Sequence, residues 1–496
     1  MHGHWTKGLE QTALGCHSFD GRDCAFGMAC KEYPVMLENA ARDTAVNLAR
    51  ELAGDDGFRA ALADLIAFPT DASNPDAPLQ DYLSHVAQGF AAMGFTTEGF
   101  RADGHPFLLI SRIEGDDRPT ILGYAHGDTV PGMAGRWAEG RDPWVLSVDA
   151  TAGRWYGRGI ADNKGQMLVN MTAMQAVIAA RGSLGFNAHI LIEMGEEIGS
   201  PGLRKLCEKL KSRLKADLLI ASDGPRIDAM TPTLFLGARG GASFRLTLRR
   251  RTGGRHSGNF GGALKNPALE LAHALASITD VQGALQVKGW LPETIPDAAR
   301  NALAGLTPAG GEVDADWGAV GLTPAERIHS WNSAEILAFS AGDIAHPVNA
   351  IPDMAEALVQ LRYVPGIDDD DLGAALRAHL DAHGHGDVIM TELGPRFRAS
   401  ATPVDHPSVG FAAASLARTH GAPPVVLPSL GGSLPNDIFT EVLGIPTIWV
   451  PHSYPGCSQH APDEHLPSAL FPQATGLMAG LYWDLGTAST SALGLG

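Results

Sequence analysis

The chain has 496 residues, of which 45% are hydrophobic and 19% charged, as expected of a soluble globular protein with two or three domains. Its formal net charge of −18 disfavours nucleic acid and anionic membranes as partners, because both select a basic surface. No apolar run approaches the ~20 residues that span a bilayer, and the N-terminus lacks the apolar core of a secretory signal. The five cysteines are irregularly spaced, which favours a reducing, cytoplasmic location.

Residues 1–35 differ in composition from the rest of the chain. They are rich in Gly, His and Cys and show no sustained periodicity. A metal-binding tract is one interpretation, but a disordered tail or a mis-assigned start codon is favoured. Regular structure is predicted to begin near Met36, where MLENAARDTAVNLARELA has helical spacing.

Helical and strand patterns alternate from about residue 58 to residue 235. Alternation of this kind predicts a largely parallel sheet that is covered by helices. The predicted elements are, in chain order, the helices FRAALADLIAF and LQDYLSHVAQGFAAMGF, the strands FLLISRI and TILGYAH, the helix GQMLVNMTAMQAVIAA, the strand AHILIEM, the helix GLRKLCEKLKSRL and the strand ADLLIAS.

The pattern changes near Leu236. The segment ASFRLTLRR alternates like a half-exposed antiparallel strand, PALELAHALASI has helical spacing, and a Pro-, Gly- and Ala-rich stretch follows from about 281 to 330. The strands AEILAFSAG and AEALVQLRYV and the helix DLGAALRAHLDAH then complete an α+β module with two or three strands. From about residue 400 the alternation of helix and strand returns, and it ends in a helix near 466–485.

These patterns predict an α/β protein with a discontinuous main domain. Residues 36–236 and 393–496 form the largely parallel-sheet domain, and residues 237–392 form an inserted α+β domain. Open α/β sheets bind ligands at the carboxyl ends of their strands, so polar residues at those positions are candidates for a functional site.

Two such residues lie in the segment YAHGDTVPG. The strand TILGYAH ends at His126, and Asp128 follows just before the turn at Pro131 and Gly132. A metal ligand with its orienting carboxylate would have this pattern. An ordinary strand end and turn would have it as well, so the segment alone leaves both interpretations open.

Further acidic and histidine residues follow other predicted strands or precede helices. They are Asp162 in GRGIADNKG, Glu196 and Glu197 after AHILIEM, Asp223 after ADLLIAS, and His465 at the start of the last predicted helix. Histidines and carboxylates without cysteine suit Zn²⁺ or a similar divalent ion. The set is large enough for two ions, which in hydrolases lie ~3.5–4 Å apart, and Asp162 is the candidate bridging ligand.

Glu196 and Glu197 are neighbours, and adjacent acids are often only a solvated surface. Here they follow a strongly apolar strand and precede Ser200 and Pro201, which are typical of a helix start. Adjacent residues in a turn point in different directions, so one can bind metal while the other acts as a general base.

These motifs resemble those of the M20 di-zinc metallopeptidases, the family of aminoacylase, carboxypeptidase G2 and succinyl-diaminopimelate desuccinylase. The resemblance covers about residues 58–485 and implies a catalytic di-zinc domain with an inserted lid domain, through which many members form homodimers. The long stretch from about 281 to 340 resembles the lid of the carnosinase and non-specific dipeptidase branch. The matching motifs are HGDTVP, GRGIADNKG, GEEIGS, ASDG, HSGNFGG and APDEHL.

The resemblance implies two metal ions, expected to be Zn²⁺, with Mn²⁺ or Co²⁺ as alternatives. The implied ligands are His126, Asp162 and Asp223 for one ion and Asp162, Glu197 and His465 for the other, with Asp162 bridging. Asp128 would orient His126, and Glu196 would be the general base. Three more residues near the last ligand are expected to line or support the pocket without binding metal: His452, Cys457 and His460.

The resemblance also implies roles for residues of the inserted domain and of the segment SLGGSLPND. His256 would enter the active site of a partner subunit and stabilise the tetrahedral intermediate. Asn349 and Arg362 would meet the substrate carboxylate, and Gly432 and Ser433 would contact the substrate backbone. Without the resemblance, these residues would be interpreted as a turn histidine, a surface arginine and a plain turn.

The predicted function is hydrolysis of a peptide or amide bond beside a free carboxylate, in dipeptides or N-acyl amino acids. A peptidase and an N-acyl amino acid deacylase differ only in what fills the amino-side pocket, so the sequence leaves both functions open. A non-catalytic, metal-stabilised dimeric scaffold is disfavoured, because it has no use for Glu196, His256 or Arg362. A nucleotide-binding protein is disfavoured as well, because no Gly-rich phosphate loop follows a predicted strand.

Overall fold

The computed structural model describes residues 32–308 and 313–494, so most of the tail predicted for residues 1–35 lies outside the described residues. None of the helices in the described ranges is both long and apolar enough to cross a bilayer. These ranges contain the α-helices α1 Glu32–Gly54, α2 Asp56–Ile66, α3 Leu79–Ala92, α4 Lys164–Arg181, α5 Leu203–Leu210, α6 Ser257–Phe260, α7 Pro267–Ile278, α8 Asp297–Ala302, α9 Pro324–His329, α10 Leu372–Ala382, α11 Pro407–His420 and α12 Leu470–Leu485.

The strands of the described residues form one eight-stranded sheet, one four-stranded sheet and three smaller sheets. They are β1 Thr96–Ala102, β2 His105–Arg112, β3 Thr120–His126, β4 Ser147–Asp149, β5 Arg154–Tyr156, β6 Asn187–Glu193, β7 Leu218–Ala221, β8 Thr233–Phe235, β9 Gly237–Ala238, β10 Gly240–Arg249, β11 Arg255–His256, β12 Ser333–Ser340, β13 Ala350–Ile351, β14 Met354–Tyr363, β15 Ile389–Phe397, β16 Ser400–Ala401, β17 Val425–Leu427, β18 Thr447–Trp449 and β19 His465–Pro467.

The chain divides into two compact units. The first contains residues up to 234 together with 406–425 and 449–496, and the second contains residues 235–405 and 426–448. The first border lies close to the predicted one. The predicted return to the main domain at residue 393 falls instead inside β15, which pairs with β10 and therefore belongs to the second unit.

The first unit holds five neighbouring strands of the large sheet, in the order β1-β2-β6-β3-β7. Strand β3 pairs in parallel with β6 and with β7, whereas β1 and β2 are antiparallel. The central strands are apolar almost throughout, because helices such as α4 and α12 pack on the unit and water reaches neither face. This architecture confirms the predicted α/β class with a largely parallel sheet.

The second unit is built on an antiparallel sheet in the order β12-β14-β10-β15. Buried and more exposed residues alternate along β10 and β14, as the period of the sequence predicts. Helices α7 and α10 pack near its buried face around a cluster of apolar residues. The buried Trp290 anchors the Pro- and Gly-rich stretch in this core, since its ring stacks on Phe244 and its indole N–H donates to the Leu372 carbonyl at 3.0 Å.

Candidate metal centre

The carboxyl ends of the parallel strands place polar side chains at one edge of the first unit's sheet. His126 ends β3 and lies opposite Glu193, the last residue of β6. Gly127 leaves no room for a side chain, because a Cβ atom there would lie 2.1 Å from the Tyr82 ring. Only glycine therefore fits between the strand and Asp128, which is fully buried beside His126.

The first group of candidate ligands contains His126, Asp162 and Asp223, all of them buried. The Nε2 atom of His126 lies 3.0 Å from Asp162 Oδ1 and 3.6 Å from Asp223 Oδ2. Its Nδ1 donates to the Asp128 carbonyl at 3.1 Å and lies 3.5 Å from the Asp128 carboxylate. Donation through Nδ1 directs the other ring nitrogen, Nε2, at the two acids, as in a metal-ligating histidine.

The second group contains Asp162, Glu197 and His460. The Nε2 atom of His460 lies 2.9 Å from Asp162 Oδ2 and 3.1 Å from Glu197 Oε2. Asp162 therefore faces His126 with one carboxylate oxygen and His460 with the other. A carboxylate in this position can bridge two ions.

His465, the histidine predicted from the sequence for the second ion, belongs to neither group. Its Nδ1 donates to the Asp463 carbonyl at 2.9 Å, and its Nε2 accepts the Tyr454 hydroxyl at 2.9 Å. The sequence predicts His460 only near the pocket, whereas the structure brings its ring to the acids. Both histidines lie in the same short segment, and the chain reaches His460 through a left-handed backbone conformation.

Each group contains one buried carboxylate oxygen that a cation could satisfy. Asp223 Oδ2 and Glu197 Oε1 are buried oxygens that have no hydrogen-bond partner among the described residues. A buried, unpaired carboxylate oxygen is costly unless an ion or another donor satisfies it. One such oxygen lies in each group, and imidazole with carboxylate is a donor set that suits Zn²⁺ and related ions.

The carboxylates of the two groups perturb each other's ionisation. Burial and the charge of Asp162 raise the pKa of Asp223 to about 7, and the same causes raise the pKa of Glu197. Hydrogen bonds to Asp162 and Glu197 raise the pKa of His460 to about 10. Although burial opposes its ionisation, hydrogen bonds from His126 and His460 lower the pKa of Asp162. Such a concentration of acids favours a dication.

Asp128 connects the end of β3 to the pair of glutamates. Its two carboxylate oxygens accept the backbone N–H groups of Glu196 at 3.2 Å and Glu197 at 3.1 Å. Since Asp128 also contacts the Nδ1 of His126, it holds a ligand of each group in position. Glu196 is partly buried but belongs to neither group, and burial raises its pKa well above the usual range.

No pattern in the sequence marks Glu464 as functional, but its buried carboxylate supports the loop that carries Asp162. One oxygen accepts the Arg158 guanidinium at 2.7 Å and the Gly159 N–H at 3.0 Å. The other accepts the N–H groups of Ala161 at 2.8 Å and Asp162 at 3.2 Å. Because Glu464 follows His460 by only four residues, it connects the loops of two candidate ligands.

Two residues with predicted roles in binding substrate or the reaction intermediate lie side by side in the second unit. His256 pairs with Ala350 across the short strands β11 and β13. The carbonyl of Asn349 accepts the Ser257 N–H at 2.9 Å. His256 is exposed, and its Nδ1 accepts the Gly258 N–H at 3.1 Å.

A second pair of predicted substrate residues also meets in this unit. The Arg362 guanidinium, on β14, donates to the Ser433 hydroxyl at 2.6 Å. Gly432 immediately precedes Ser433. Gly241 lies opposite Arg362 on β10, and a Cβ atom at Gly241 would lie 3.2 Å from both side chains.

A parallel-sheet edge with two groups of candidate histidine and carboxylate ligands is typical of metal-dependent hydrolases. Residues 122–484 match the family model described as Peptidase family M20/M25/M40, and the chain belongs to this family. The predicted family resemblance and the prediction of a hydrolase are thereby confirmed.

Curated relatives of the chain include dipeptidases. It is 28% identical to the cysteinylglycine-S-conjugate dipeptidase of Corynebacterium striatum over 337 residues, which are 64% of this chain and 70% of that protein. It is 35% identical to the human Beta-Ala-His dipeptidase over 196 residues, which are 38% of either chain. The second match thus spans less than half of the human protein.

Solved structures show the same fold. The M20 family metallo-carboxypeptidase of Sulfolobus solfataricus has a TM-score of 0.74 at 22% identity and covers 88% of this chain and 100% of its own. The dipeptidase Dug1p of Saccharomyces cerevisiae has a TM-score of 0.73 at 18% identity and covers 90% of this chain and 99% of its own.

Proposed function

We propose that this protein is a dinuclear metallodipeptidase that cleaves a peptide bond next to a free carboxylate. The observation that carries the proposal is the position of Asp162, whose two carboxylate oxygens face two separate groups of metal-ligand side chains. The dipeptidase names of the curated relatives support the choice of a small peptide substrate.

The proposed metal-holding residues are His126, Asp162 and Asp223 for one ion and Asp162, Glu197 and His460 for the other. Bound divalent ions, expected to be Zn²⁺ with Mn²⁺ or Co²⁺ as alternatives, would polarise the scissile carbonyl and lower the pKa of a water molecule. His460 takes the place that the sequence predicted for His465.

Glu196 is the proposed general base. It takes the proton of the attacking water and delivers it to the leaving amine, which balances the proton over the cycle. Asp128 fixes the turn in which Glu196 lies, because its carboxylate accepts two consecutive N–H groups there. His256 is proposed to donate a hydrogen bond to the oxyanion of the tetrahedral intermediate.

Arg362 is proposed to bind the free carboxylate of the substrate. Its contact with Ser433 uses one guanidinium nitrogen, and a guanidinium has five N–H donors in a planar fork that matches a carboxylate. Although burial lowers its pKa, Arg362 stays charged at neutral pH. Asn349, Gly432 and Ser433 are proposed to contact the rest of the substrate.

A comparison of dipeptides with their C-terminal amides tests this function. The wild-type enzyme should strongly prefer the free acid, and Arg362→Lys should lose most of that preference, because lysine keeps the charge but not the fork. Arg245→Lys is a matched control, since Arg245 is exposed on the neighbouring strand β10. An unchanged preference in Arg362→Lys would remove Arg362 from the proposal.

The same assay separates the peptidase from the deacylase. It includes N-acyl amino acids that have the same free carboxylate but an acyl group in place of the amino-terminal residue. A dipeptidase should have the higher kcat/KM for the dipeptides. A higher kcat/KM for the N-acyl amino acids would replace the dipeptidase with an N-acyl amino acid deacylase.

We also propose that the protein forms a homodimer through the second unit. Strand β12 lies at the edge of the antiparallel sheet, and its side chains Ile336, Leu337 and Phe339 are about half exposed. Unpaired edge strands with apolar side chains readily associate with another chain. A dimer would cover this edge. It would also allow the exposed His256 to act in the active site of the partner subunit.

A further inference from the structure

A cluster of histidines in the second unit is not used by the proposed reaction. His379 lies in the last turn of α10 and His383 is its C-cap residue, and their ring centroids are 4.1 Å apart. His385 follows two residues later, and His273 lies on α7. Residues four apart on a helix share a face, so the spacing His-x3-His directs two imidazoles to one place.

Backbone carbonyls fix the tautomers of these two rings, which are tilted by 31° relative to each other. The Nε2 atom of His379 lies 2.8 Å from the Ser277 carbonyl oxygen and must donate to it, so the lone pair of the neutral ring is on Nδ1. The Nδ1 atom of His383 donates to the His379 carbonyl at 2.8 Å, so its lone pair is on Nε2. A histidine that binds metal characteristically donates its other ring N–H to such a carbonyl.

The third histidine is held close to this pair by its own backbone. The N–H of His385 donates to the Leu380 carbonyl at 2.8 Å, which folds the chain back over the end of α10.

We propose that His379, His383 and His385 bind a divalent transition-metal ion, with Zn²⁺ as the expected ion. Neutral imidazoles suit Zn²⁺, Ni²⁺ and Cu²⁺, whereas Mg²⁺ and Ca²⁺ require oxygen ligands. The donor atoms of the three rings do not form a closed group in the structure, so binding requires the His385 side chain to rotate toward the other two rings, and water would complete the coordination. The ion connects the last turn of α10 to the segment that leads into β15, so its role is structural and separate from hydrolysis.

Protection of individual histidines from diethyl pyrocarbonate tests this site in the full-length protein. The modification is mapped by mass spectrometry in chelator-treated protein and in the same protein saturated with Zn²⁺. Zn²⁺ should slow the modification of all three proposed ligands. It should leave His420 unchanged, since that residue is exposed at the end of α11, away from any histidine pair in the sequence.

His383→Ala provides the decisive variant. The residue is exposed and has no role in the proposed reaction, so unchanged dipeptide hydrolysis shows that the variant is folded. Zn²⁺ protection of His379 and His385 should be lost in this variant. The proposal is overturned if Zn²⁺ leaves the modification of the wild-type cluster unchanged, or if the protection persists without His383.

Discussion

Glu196 and Glu197 are adjacent in the chain but have different surroundings. Glu197 lies 3.1 Å from His460 in a candidate metal group, whereas Glu196 lies outside both groups. We expect Glu196→Gln to retain metal and to lose about 10²–10⁴ in kcat, because it removes only the proton acceptor. Glu197→Gln should lower the metal content, because it removes a charged ligand. Elemental analysis beside kinetics checks both, and the reverse pattern would exchange their roles.

The metal-binding roles of His460 and His465 can be compared in the same way. His460 contacts two acids of the centre, whereas both ring nitrogens of His465 are taken by Tyr454 and Asp463. His460→Ala should therefore lower the number of bound metal ions per chain, and His465→Ala should keep it. Metal analysis of the two variants after gel filtration provides the measurement. Loss of metal in His465→Ala alone would return the ligand role to the residue predicted from the sequence.

The sequence predicts the candidate ligands at the strand ends better than it predicts the candidate histidine of the last loop. His126 and Asp223 could be predicted together because parallel strands bring their carboxyl ends to one edge of a sheet. The loop that carries His460 has no such periodicity. Ser458, His460 and Asp463 all have positive φ angles, a conformation rare for these residue types and not encoded in a hydrophobic pattern. Which histidine of that loop faces the acids therefore required the structure.

At the scale of elements, the centre depends on the connection between two loops. Glu464 accepts three backbone N–H groups and the Arg158 guanidinium, all from the loop of Asp162. Glu464→Gln replaces an acceptor oxygen with an NH₂ group that cannot accept these donors. We expect about 10–100-fold weaker metal binding, the usual effect of losing support for a ligand.

Metal titration of the apoprotein and amide hydrogen exchange measure this effect. Exchange at Gly159 and Ala161 should become faster in Glu464→Gln. Glu51→Gln is the control, because Glu51 is exposed on α1 and its substitution should change neither quantity. Wild-type metal affinity in Glu464→Gln would mean that Glu464 serves the fold but not the centre.

Most elements of the fold follow from periodicity, and the exceptions have physical reasons. Helix α7 and strand β3 have the predicted bounds, because α7 has apolar residues at helical spacing and β3 is a nearly continuous apolar run. Strand β1 was not predicted, since five of its seven residues are exposed and no apolar alternation marks it. Strand β15 contains Gly394 and Pro395, which are atypical of strands. The sheet of the second unit therefore has four strands, where two or three were predicted.

At the scale of the whole molecule, the proposed dimer gives a test of His256. Glu196→Gln and His256→Ala are each expected to be nearly inactive. If His256 serves the partner subunit, a mixed dimer has one site with both defects and one intact site. Random exchange makes about half of the dimers mixed, so about a quarter of wild-type activity should return in a two-fold dimer.

Subunit exchange must be shown independently in this experiment, for example with two affinity tags. Glu196→Gln mixed with Glu197→Gln is the matched control. Both defects then lie in the same unit of the chain, and mixing should restore no activity beyond that of the separate variants. Confirmed exchange without recovery in the His256 mixture would rule out a role of His256 in the partner subunit.

The proposed hydrolysis requires divalent ions held by two groups of side chains that share Asp162. The decisive measurement is dipeptide hydrolysis before and after the metal is removed with a chelator and then restored. We predict that chelation abolishes hydrolysis and that Zn²⁺, Mn²⁺ or Co²⁺ restores it in the wild type but not in Asp162→Asn. Full hydrolytic activity in protein shown by elemental analysis to be free of metal would contradict the proposal.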